Sequence, residues 1–300
     1  MKIPEITHLN RLNDVFFKSL LGSEERKALT LNFINSILDR HGDEAFVDLV
    51  FADKEVVPQR IHGKLSLLDV LAEMNDGTRV HIEVQVLLDE CMANRTLYYW
   101  GRIYSRELEA GEPYQHLRPV ITIDLLNYDQ FPQYAAYSHT YHIADDETHD
   151  ILTSHLEMHF IELQKVHISD IKKLKRADKW IAYFSPKCSD QERKVLAMSD
   201  TAIKDAMTYE GQFASNNTLK SQYWDYEKTM RDIASVRLSG ETRGRQEGRK
   251  EGRKEGRKEG RKILGILIQK LMQEGRMDEV EKALADDAYQ EKLLHEYQLI

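Results

Sequence analysis

Cysteine is scarce in this sequence, and the lack of any cysteine cluster excludes several kinds of protein. The 300 residues include two cysteines, Cys91 and Cys188, which lie far apart and form no CxxC pair or Cys/His cluster. A disulfide framework or a zinc knuckle needs closely patterned cysteines, so neither is predicted. We therefore expect a protein of a reducing compartment, the cytoplasm.

Long hydrophobic runs are missing as well. The longest apolar run near the C-terminus is ILGILI at residues 263–268, and residues 1–14 contain no apolar segment typical of a signal peptide. A membrane-spanning helix needs about 20 apolar residues, so we expect no membrane association. HExxH, GxSxG, Walker A and GxGxxG motifs are also absent, which leaves hydrolase triads, nucleotide kinases and dinucleotide enzymes without support.

The charge is unevenly distributed along the chain. The net charge is −8, but residues 243–262 contain ten Lys/Arg and four Glu and therefore have a local charge of +6. Subtracting this segment leaves −14 for the rest of the chain. The basic segment suggests an anionic partner, whereas the acidic remainder argues against gripping nucleic acid by broad charge alone.

Periodicity predicts a sheet core with flanking helices, because 41% of residues are hydrophobic and their spacing changes along the chain. Helical spacing occupies residues 13–40, with a break at Gly22 and Ser23 as a candidate N-cap for a second helix. Strands are predicted at 66–74, 79–87, 119–128 and 156–166, a helix closed by Gly111 at 92–110, and helices from about residue 170. Strands followed by helices indicate an α/β or α+β core.

Four segments are predicted along the chain. A core domain covers 1–200, a helical connection 201–242, a Gly-Arg-Lys-Glu repeat 243–262, and a helical C-terminal segment 263–300. The repeat contains one glycine in every four residues, and each interior glycine costs a helix about 1 kcal/mol relative to alanine. We expect a flexible basic spacer; the alternative is a helix that forms when its glycines pack on a partner helix or its cations meet phosphates.

The stretch LLDVLAEMNDGTRVHIEVQV at residues 67–86 predicts a hairpin with a defined register. A three-residue loop at 75–77, with Gly77 in the left-handed conformation, aligns the two strands better than a two-residue turn. In this register Glu73 opposes Arg79 and Asp69 opposes Glu83. One face of the hairpin is then apolar throughout and consists of Leu68, Val70, Ala72, Val80, Ile82 and Val84. A slip of one residue would destroy all of these matches.

Asp69 and Glu83 would lie directly across from each other, with Cβ atoms roughly 5 Å apart. Two carboxylates at this distance repel each other unless a cation or a proton lies between them. Hard oxygen ligands with open positions suit Mg²⁺, which accepts one or two carboxylates together with water and phosphate. The alternative is a solvated hairpin face without a function.

These residues resemble the D…(D/E)xK core of the PD-(D/E)XK nuclease superfamily. LLDVLAEMNDGTRVHIEVQ is most similar to its recombination-promoting nuclease and transposase family, whose core reads D…ExQ. Further similar segments are NDVFFKSLLG at 13–22, residues 95–128, and LEMHFIELQKV at 156–166, and the EGRK repeat also resembles a feature of such proteins. The resemblance covers roughly residues 10–185 and implies a restriction-endonuclease-like mixed sheet core flanked by helices, followed by a helical C-terminal tail.

The resemblance implies a metal-dependent DNA endonuclease linked to recombination or mobile DNA. Asp69 and Glu83 would bind Mg²⁺, and Gln85 would take the place that Lys has in most of the superfamily. Glutamine can donate and accept hydrogen bonds, but it carries no charge. Gln85 and the acidic charge of the chain outside residues 243–262 therefore also favour an alternative. This alternative is a catalytically weak or inactive nuclease-like module that binds nucleic acid or protein.

Other candidate residues lie on two helices. Asp14 matches an acidic residue of the family's opening helix and would help to hold the metal or its water; alternatively it stabilises the helix N-terminus and pairs with Lys18. A second set shares one face of the 92–110 helix and would contact DNA: Arg95, Tyr99, Arg102 and Arg106. The alternative for this set is a solvated face that pairs with acidic residues.

The repeat and the C-terminal helices are also candidates for subunit assembly. A nuclease that cuts both strands of DNA often uses two active sites, so a homo-oligomer would suit the implied activity. We therefore expect DNA as the main partner and a second copy of the chain as a further one.

Overall fold

The structure, a computed structural model, describes most of the chain, and the described residues form two units. They are residues 3–52, 55–56, 66–67, 69–106, 108, 111–168 and 170–300, with the backbone alone at 55–56, 66–67 and 172. The two units are Met1–Met230 and Arg231–Ile300. No helix among the described residues is long and apolar enough to cross a membrane.

A mixed six-stranded sheet, in the order β1-β4-β5-β6-β8-β7, forms the centre of the first unit. The β5–β6 and β6–β8 pairs are parallel and the others are antiparallel, and β2 and β3 form a separate small ladder. The strands are β1 (Leu49–Phe51), β2 (Glu55–Val56), β3 (Ser66–Leu67), β4 (Val70–Met74), β5 (Arg79–Gln85), β6 (Val120–Leu126), β7 (Ser138–Tyr141) and β8 (Leu156–Glu162).

Helices flank this sheet and continue to the C-terminus. They are α1 (Asp14–Leu21), α2 (Lys27–Ile37), α3 (Met92–Ser105), α4 (Arg176–Phe184), α5 (Asp190–Ser199), α6 (Thr201–Ser215), α7 (Asn217–Gln273), α8 (Met277–Ala285) and α9 (Asp287–Glu296). The mixed sheet with flanking helices and a helical C-terminal region confirms the predicted fold class.

The opening helices show how local sequence sets the helix ends. Asn13 caps α1, because its side-chain oxygen accepts hydrogen bonds from the backbone N–H groups of Val15 and Phe16. The expected cap at Ser23 is wrong, since α2 begins at Lys27 after a short 3₁₀ turn. The Ser23 hydroxyl bonds the Glu25 carboxylate instead.

The two faces of the sheet are buried by different layers. The apolar hairpin face packs against aromatic residues of α1, α2 and α4, which include Phe16, Phe17, Phe33 and Trp180. The opposite face is covered by α3, whose Ile103 packs with Leu71 and Val120. His81 and Glu83 on this second face are therefore buried between the sheet and α3, whereas Glu73 near the turn is exposed. The alternative of a hairpin face that is solvated throughout is wrong.

In the second unit, α7 carries the Gly-Arg-Lys-Glu repeat as a continuous helix. The expectation of a flexible spacer is therefore wrong. Glu, Arg and Lys all favour helix, and they make up three of every four residues in the repeat. A Cβ atom added to any repeat glycine from Gly244 to Gly260 would meet no atom within 4 Å, so no other part of the described chain packs on these glycines.

The C-terminal end of the second unit has a small apolar core. The left-handed Gly275 follows α7, with φ of 75°, and α8 and α9 then fold back as short helices. The core of this unit consists of Leu267, Leu271, Val280, Ala283 and Leu293. The predicted helical segment at 263–300 is confirmed, although its first part belongs to α7.

Candidate active site

The β4–β5 hairpin has the predicted register. Val70 pairs with Ile82 and Glu73 with Arg79, and the Arg79 and Glu73 side chains lie 3.5 Å apart. Gly77 adopts the left-handed conformation with φ of 84°. Only the expected pair of Leu68 with Val84 lies outside the described residues. The register therefore brings Asp69, directly before β4, close to Glu83 in β5.

Asp69 is a buried carboxylate with an altered affinity for protons. Its side chain is 9% exposed, and its Oδ2 accepts a hydrogen bond of 2.8 Å from the backbone N–H of Val84. Burial raises the pKa of Asp69 to about 7, the negative charge of Glu83 adds to this effect, and the positive charge of Lys18 partly opposes it. Asp69 therefore gains and loses its proton near neutral pH.

Lys18 connects α1 to the hairpin. Its Nζ lies 3.0 Å from Asp69 Oδ1 and 2.8 Å from Asp14 Oδ1. Burial alone lowers the pKa of Lys18, but the two carboxylates outweigh burial and raise this pKa above its usual value. Asp14 thus pairs with Lys18 within α1, as one interpretation expected, and Lys18 links it to Asp69; a role of Asp14 toward a metal or its water stays a prediction.

Glu83 is almost completely buried, with 2% of the residue exposed, and it is held by Arg95 from α3. Arg95 Nη2 bonds Glu83 Oε1, and this attraction raises the pKa of the guanidinium although burial lowers it. The second oxygen, Oε2, lies 3.3 Å from His81 Nε2 but has no hydrogen-bond partner in the described part of the chain. One carboxylate oxygen of Glu83 is therefore fixed by Arg95, and the other is buried beside His81 without a hydrogen bond to any described residue.

Gln85 supports this arrangement through hydrogen bonds. Its Oε1 accepts a bond of 3.1 Å from Arg95 Nη1, and its Nε2 donates a bond of 3.1 Å to the backbone oxygen of Leu87. Both ends of the amide are thus engaged. Gln85 holds Arg95 against Glu83 and brings no charge of its own.

The α3 residues that were expected to contact DNA divide into two groups. Arg95 and Tyr99 face the site, and Arg95 Nε donates to the Tyr99 hydroxyl at 3.1 Å. Arg102 Nη1 donates to the Tyr98 hydroxyl at 3.3 Å on the outer side of α3, and Arg106 follows the end of the helix. A cavity of about 390 Å³ opens beside the Arg95 pair and is lined by Asp89, Cys91, Asn94, Arg95, Tyr98 and Tyr99.

A third buried carboxylate, Asp124, was missed from the sequence. The parallel pairing of β5 and β6 places Asp124 beside Glu83, and the Thr96 hydroxyl of α3 donates to Asp124 Oδ2 at 2.9 Å. Burial raises the pKa of Asp124 well above its usual value, and the charge of Glu83 adds to the shift. The signal was a single acidic residue within the apolar run VITIDLL, which is unusual for a buried strand.

Asp124→Asn should stabilise the fold at neutral pH. Because the folded pKa of Asp124 lies above the unfolded one, this residue lowers the free energy of unfolding progressively as the pH rises above about 4. Asparagine removes that loss and can still accept from Thr96. In thermal melts, we expect the Tm of the variant to exceed that of wild type by more at pH 7.5 than at pH 4.5. An equal difference at both pH values would contradict a raised pKa.

The oxygen donors of the site fit a hard divalent cation. Glu83 Oε2 is buried and unpaired in the described residues, and Asp69 Oδ1 faces the cationic Lys18, so each acid has one oxygen that attracts positive charge. Among the residues that the structure describes, no group of three or more His, Cys, Asp or Glu side chains could hold a metal ion by itself. A hard divalent cation can take one or two carboxylates and complete its shell with water and phosphate.

Comparisons with known proteins give one match. No curated protein and no solved structure matches the chain. A family model described as PD-(D/E)XK nuclease family transposase matches residues 11–239, which is more than half of the chain and includes the hairpin, α1 and α3. The chain therefore belongs to the PD-(D/E)XK nuclease family transposases.

Proposed function

We propose that the protein is a Mg²⁺-dependent endonuclease that hydrolyses phosphodiester bonds in DNA. The observation that carries this proposal is the pair of buried carboxylates, Asp69 and Glu83, that the hairpin register brings together. Burial, reinforced by the charge of Glu83, raises the pKa of Asp69, and perturbed carboxylates of this kind are typical of functional sites. PD-(D/E)XK nucleases generally use divalent metal ions.

Asp69 and Glu83 would hold the ion. When bound, a divalent ion polarises a phosphate oxygen and lowers the pKa of a coordinated water. The protein's own contribution is to fix one oxygen of each acid, since the Val84 N–H holds Asp69 Oδ2 and Arg95 holds Glu83 Oε1. The other two oxygens, Asp69 Oδ1 and Glu83 Oε2, would be the ones available to hold the ion. Such fixed geometry avoids reorganisation during the reaction.

DNA would approach along the α3 side of the site. Tyr99 and Arg95 border the 390 Å³ cavity, and Arg102 and Arg106 continue along the helix toward its C-terminal end. Arginine contacts phosphate well, and exposed tyrosine rings provide surfaces on which bases stack. In this proposal Tyr99, Arg102 and Arg106 position the strand, while Arg95 serves mainly to orient Glu83.

The cellular role follows the family. Cutting of DNA strands is the step that recombination and mobile DNA require, so we propose a role in one of these processes. The described cysteines, Cys91 and Cys188, are both free thiols, which suits the cytoplasm. Cutting both strands of a duplex is simplest with two active sites, so we propose a homo-oligomer; the mass of the full chain in solution tests this.

A substrate panel tests the proposed function. The purified full chain is incubated with closed circular plasmid, linear duplex, single-stranded DNA and RNA, with Mg²⁺ or with EDTA. We expect Mg²⁺-dependent nicks or breaks in the plasmid, because a closed circle has no ends and reports internal cutting. Cutting that persists in EDTA, or cutting of RNA alone, would contradict the proposal.

A further inference from the structure

Two cations neutralise the carboxylates of the candidate active site, and they are held very differently. Arg95 donates to Glu83, Gln85 and Tyr99 and lies 3.6 Å from Asp89. Lys18 contacts two partners in the described part of the chain, Asp14 and Asp69. Arg95 is thus fixed in place, whereas Lys18 ends in an ammonium on a flexible stem.

The contact of Lys18 involves the particular Asp69 oxygen that is open to a ligand. Asp69 Oδ2 is held by the Val84 N–H, so Oδ1 remains for a cation, and Oδ1 is the atom that lies 3.0 Å from Lys18 Nζ. An ion that binds Oδ1 therefore competes with Lys18 for this oxygen, and Lys18 loses one of its two partners. The ammonium keeps Asp14, at 2.8 Å, and stays beside the site with a free donor.

We propose that Lys18 is a catalytic residue that contacts a nonbridging oxygen of the scissile phosphate, an inference that rests on the proposed nuclease function. Charge balance supports it. Asp14, Asp69, Glu83 and Asp89, which lies 3.6 Å from Arg95, carry four negative charges when ionised, and Lys18, Arg95 and a divalent ion bring four positive ones. The site is then balanced when a phosphodiester arrives, and without Lys18 it would carry a net negative charge that repels the phosphate.

The role of Gln85 makes the position of Lys18 significant. Gln85 is neutral, and both ends of its amide are occupied by Arg95 and Leu87. It therefore supplies no charge to the phosphate. Lys18 reaches Asp69 from α1, a different element of the fold, and supplies the missing charge from there.

The chemical step is an ordinary hydrolysis. A water oxygen forms a bond to phosphorus, one P–O ester bond breaks, the departing oxygen takes up a proton from solvent, and the attacking water releases one to solvent. Lys18 donates hydrogen bonds to the phosphate throughout and transfers no proton. Its contribution is electrostatic, and removing one such donor typically costs 10²–10³-fold in rate.

Lys18→Gln tests the inference against wild type, with two measurements on each full-length protein: the rate of plasmid cleavage and the shift in Tm caused by Mg²⁺. We expect cleavage to fall by about 100-fold. Loss of Lys18 raises the pKa of Asp69 further, so the Tm shift caused by Mg²⁺ is measured well above pH 7, where Asp69 is ionised in both proteins. There the shift should be retained or increased, because a competitor for Asp69 Oδ1 is gone. Lys27→Gln is the matched control, since Lys27 of α2 pairs with Asp48 outside the site. This variant should cut DNA like wild type.

A second variant places a positive charge on the hairpin. Gln85→Lys placed in the Lys18→Gln background should recover at least about tenfold of the lost rate, because the charge then comes from β5. If Lys18→Gln melts too low to assay, Lys18→Met keeps the aliphatic stem and the same criteria apply to it. Lys18→Arg keeps the charge and should retain more activity than either.

The outcomes separate this inference from the proposed function. If wild type cuts and Lys18→Gln cuts within threefold of it, Lys18 is only a counter-ion and the inference is overturned alone. Loss of the Mg²⁺-induced Tm shift together with cleavage would show that Lys18 organises the carboxylates, and this also overturns a direct contact with phosphate. If wild type shows no Mg²⁺-dependent cutting, the proposed function and the inference both fall.

Discussion

Glu83→Gln is expected to reduce Mg²⁺-dependent DNA cleavage by about 100- to 1,000-fold or more. The substitution keeps the shape of the side chain but removes a buried negative charge that would hold the ion, and losses of this size are typical for one preorganised electrostatic group. Arg95 can still donate to the amide oxygen, so the fold should persist. Rates of plasmid cleavage, measured beside thermal melts of both proteins, check this.

Glu73→Gln is the matched control for this prediction. Glu73 lies on the same hairpin and the same face, but its side chain is 49% exposed and pairs with Arg79 at the distal end. We expect its cleavage rate to stay within about twofold of wild type, since exposed ion pairs contribute little. Equal losses in both variants would show that cleavage depends on hairpin stability and not on a carboxylate at position 83.

Mg²⁺ binding is expected to release a proton from Asp69. Burial, reinforced by the charge of Glu83, raises the pKa of Asp69 to about 7, so the protonated acid predominates below that pH. A hard cation binds the ionised form, and the apparent affinity should therefore rise about tenfold per pH unit from pH 5 to 7 and level off above 7. Calorimetric titration in two buffers with different ionisation enthalpies measures both the affinity and the released proton.

The stability of the protein provides a control for the same pKa. Because the folded pKa of Asp69 is higher than the unfolded one, Asp69 lowers the free energy of unfolding as the pH rises from about 4 to about 7. Asp69→Asn should lose this part of the pH dependence together with the proton release. An Mg²⁺ affinity that stays constant between pH 5 and 7 would show that binding of the ion does not depend on ionisation of Asp69.

The hairpin could be predicted from the sequence because its determinants are local. Alternation of apolar and polar residues, a glycine that favours positive φ, and one pair of opposite charges all selected a single register, and the structure has that register. The strand at 119–128 was equally clear, since β6 is buried throughout and its residues are apolar apart from Thr122 and Asp124.

The rest of the site depends on contacts between distant parts of the chain. Lys18 meets Asp69, 51 residues further on, and Asp124 meets Thr96 of α3. Periodicity places a residue on a face but does not say which helix covers that face. Arg95 was thus expected to contact DNA, although the structure commits it to Glu83. Likewise, the apolar Leu97 of α3 is 51% exposed, while the polar Thr96 is buried.

The repeat in α7 shows a different limit. Summed propensity argued against a helix because each glycine is unfavourable, but the three residues between glycines favour helix. The balance between these small terms decides the structure, and it cannot be judged from the glycine count alone.

The central claim is that the Asp69–Glu83 hairpin is the active site of a Mg²⁺-dependent DNA nuclease. The most direct test compares plasmid cleavage by purified wild type and Asp69→Ala, side by side, with Mg²⁺ and with EDTA. We expect wild type to cut in Mg²⁺ alone and Asp69→Ala to show no cutting above the EDTA background. Equal, feeble cutting by both proteins would come from a contaminating nuclease and would contradict the claim. The protein would then be a nuclease-like binding module.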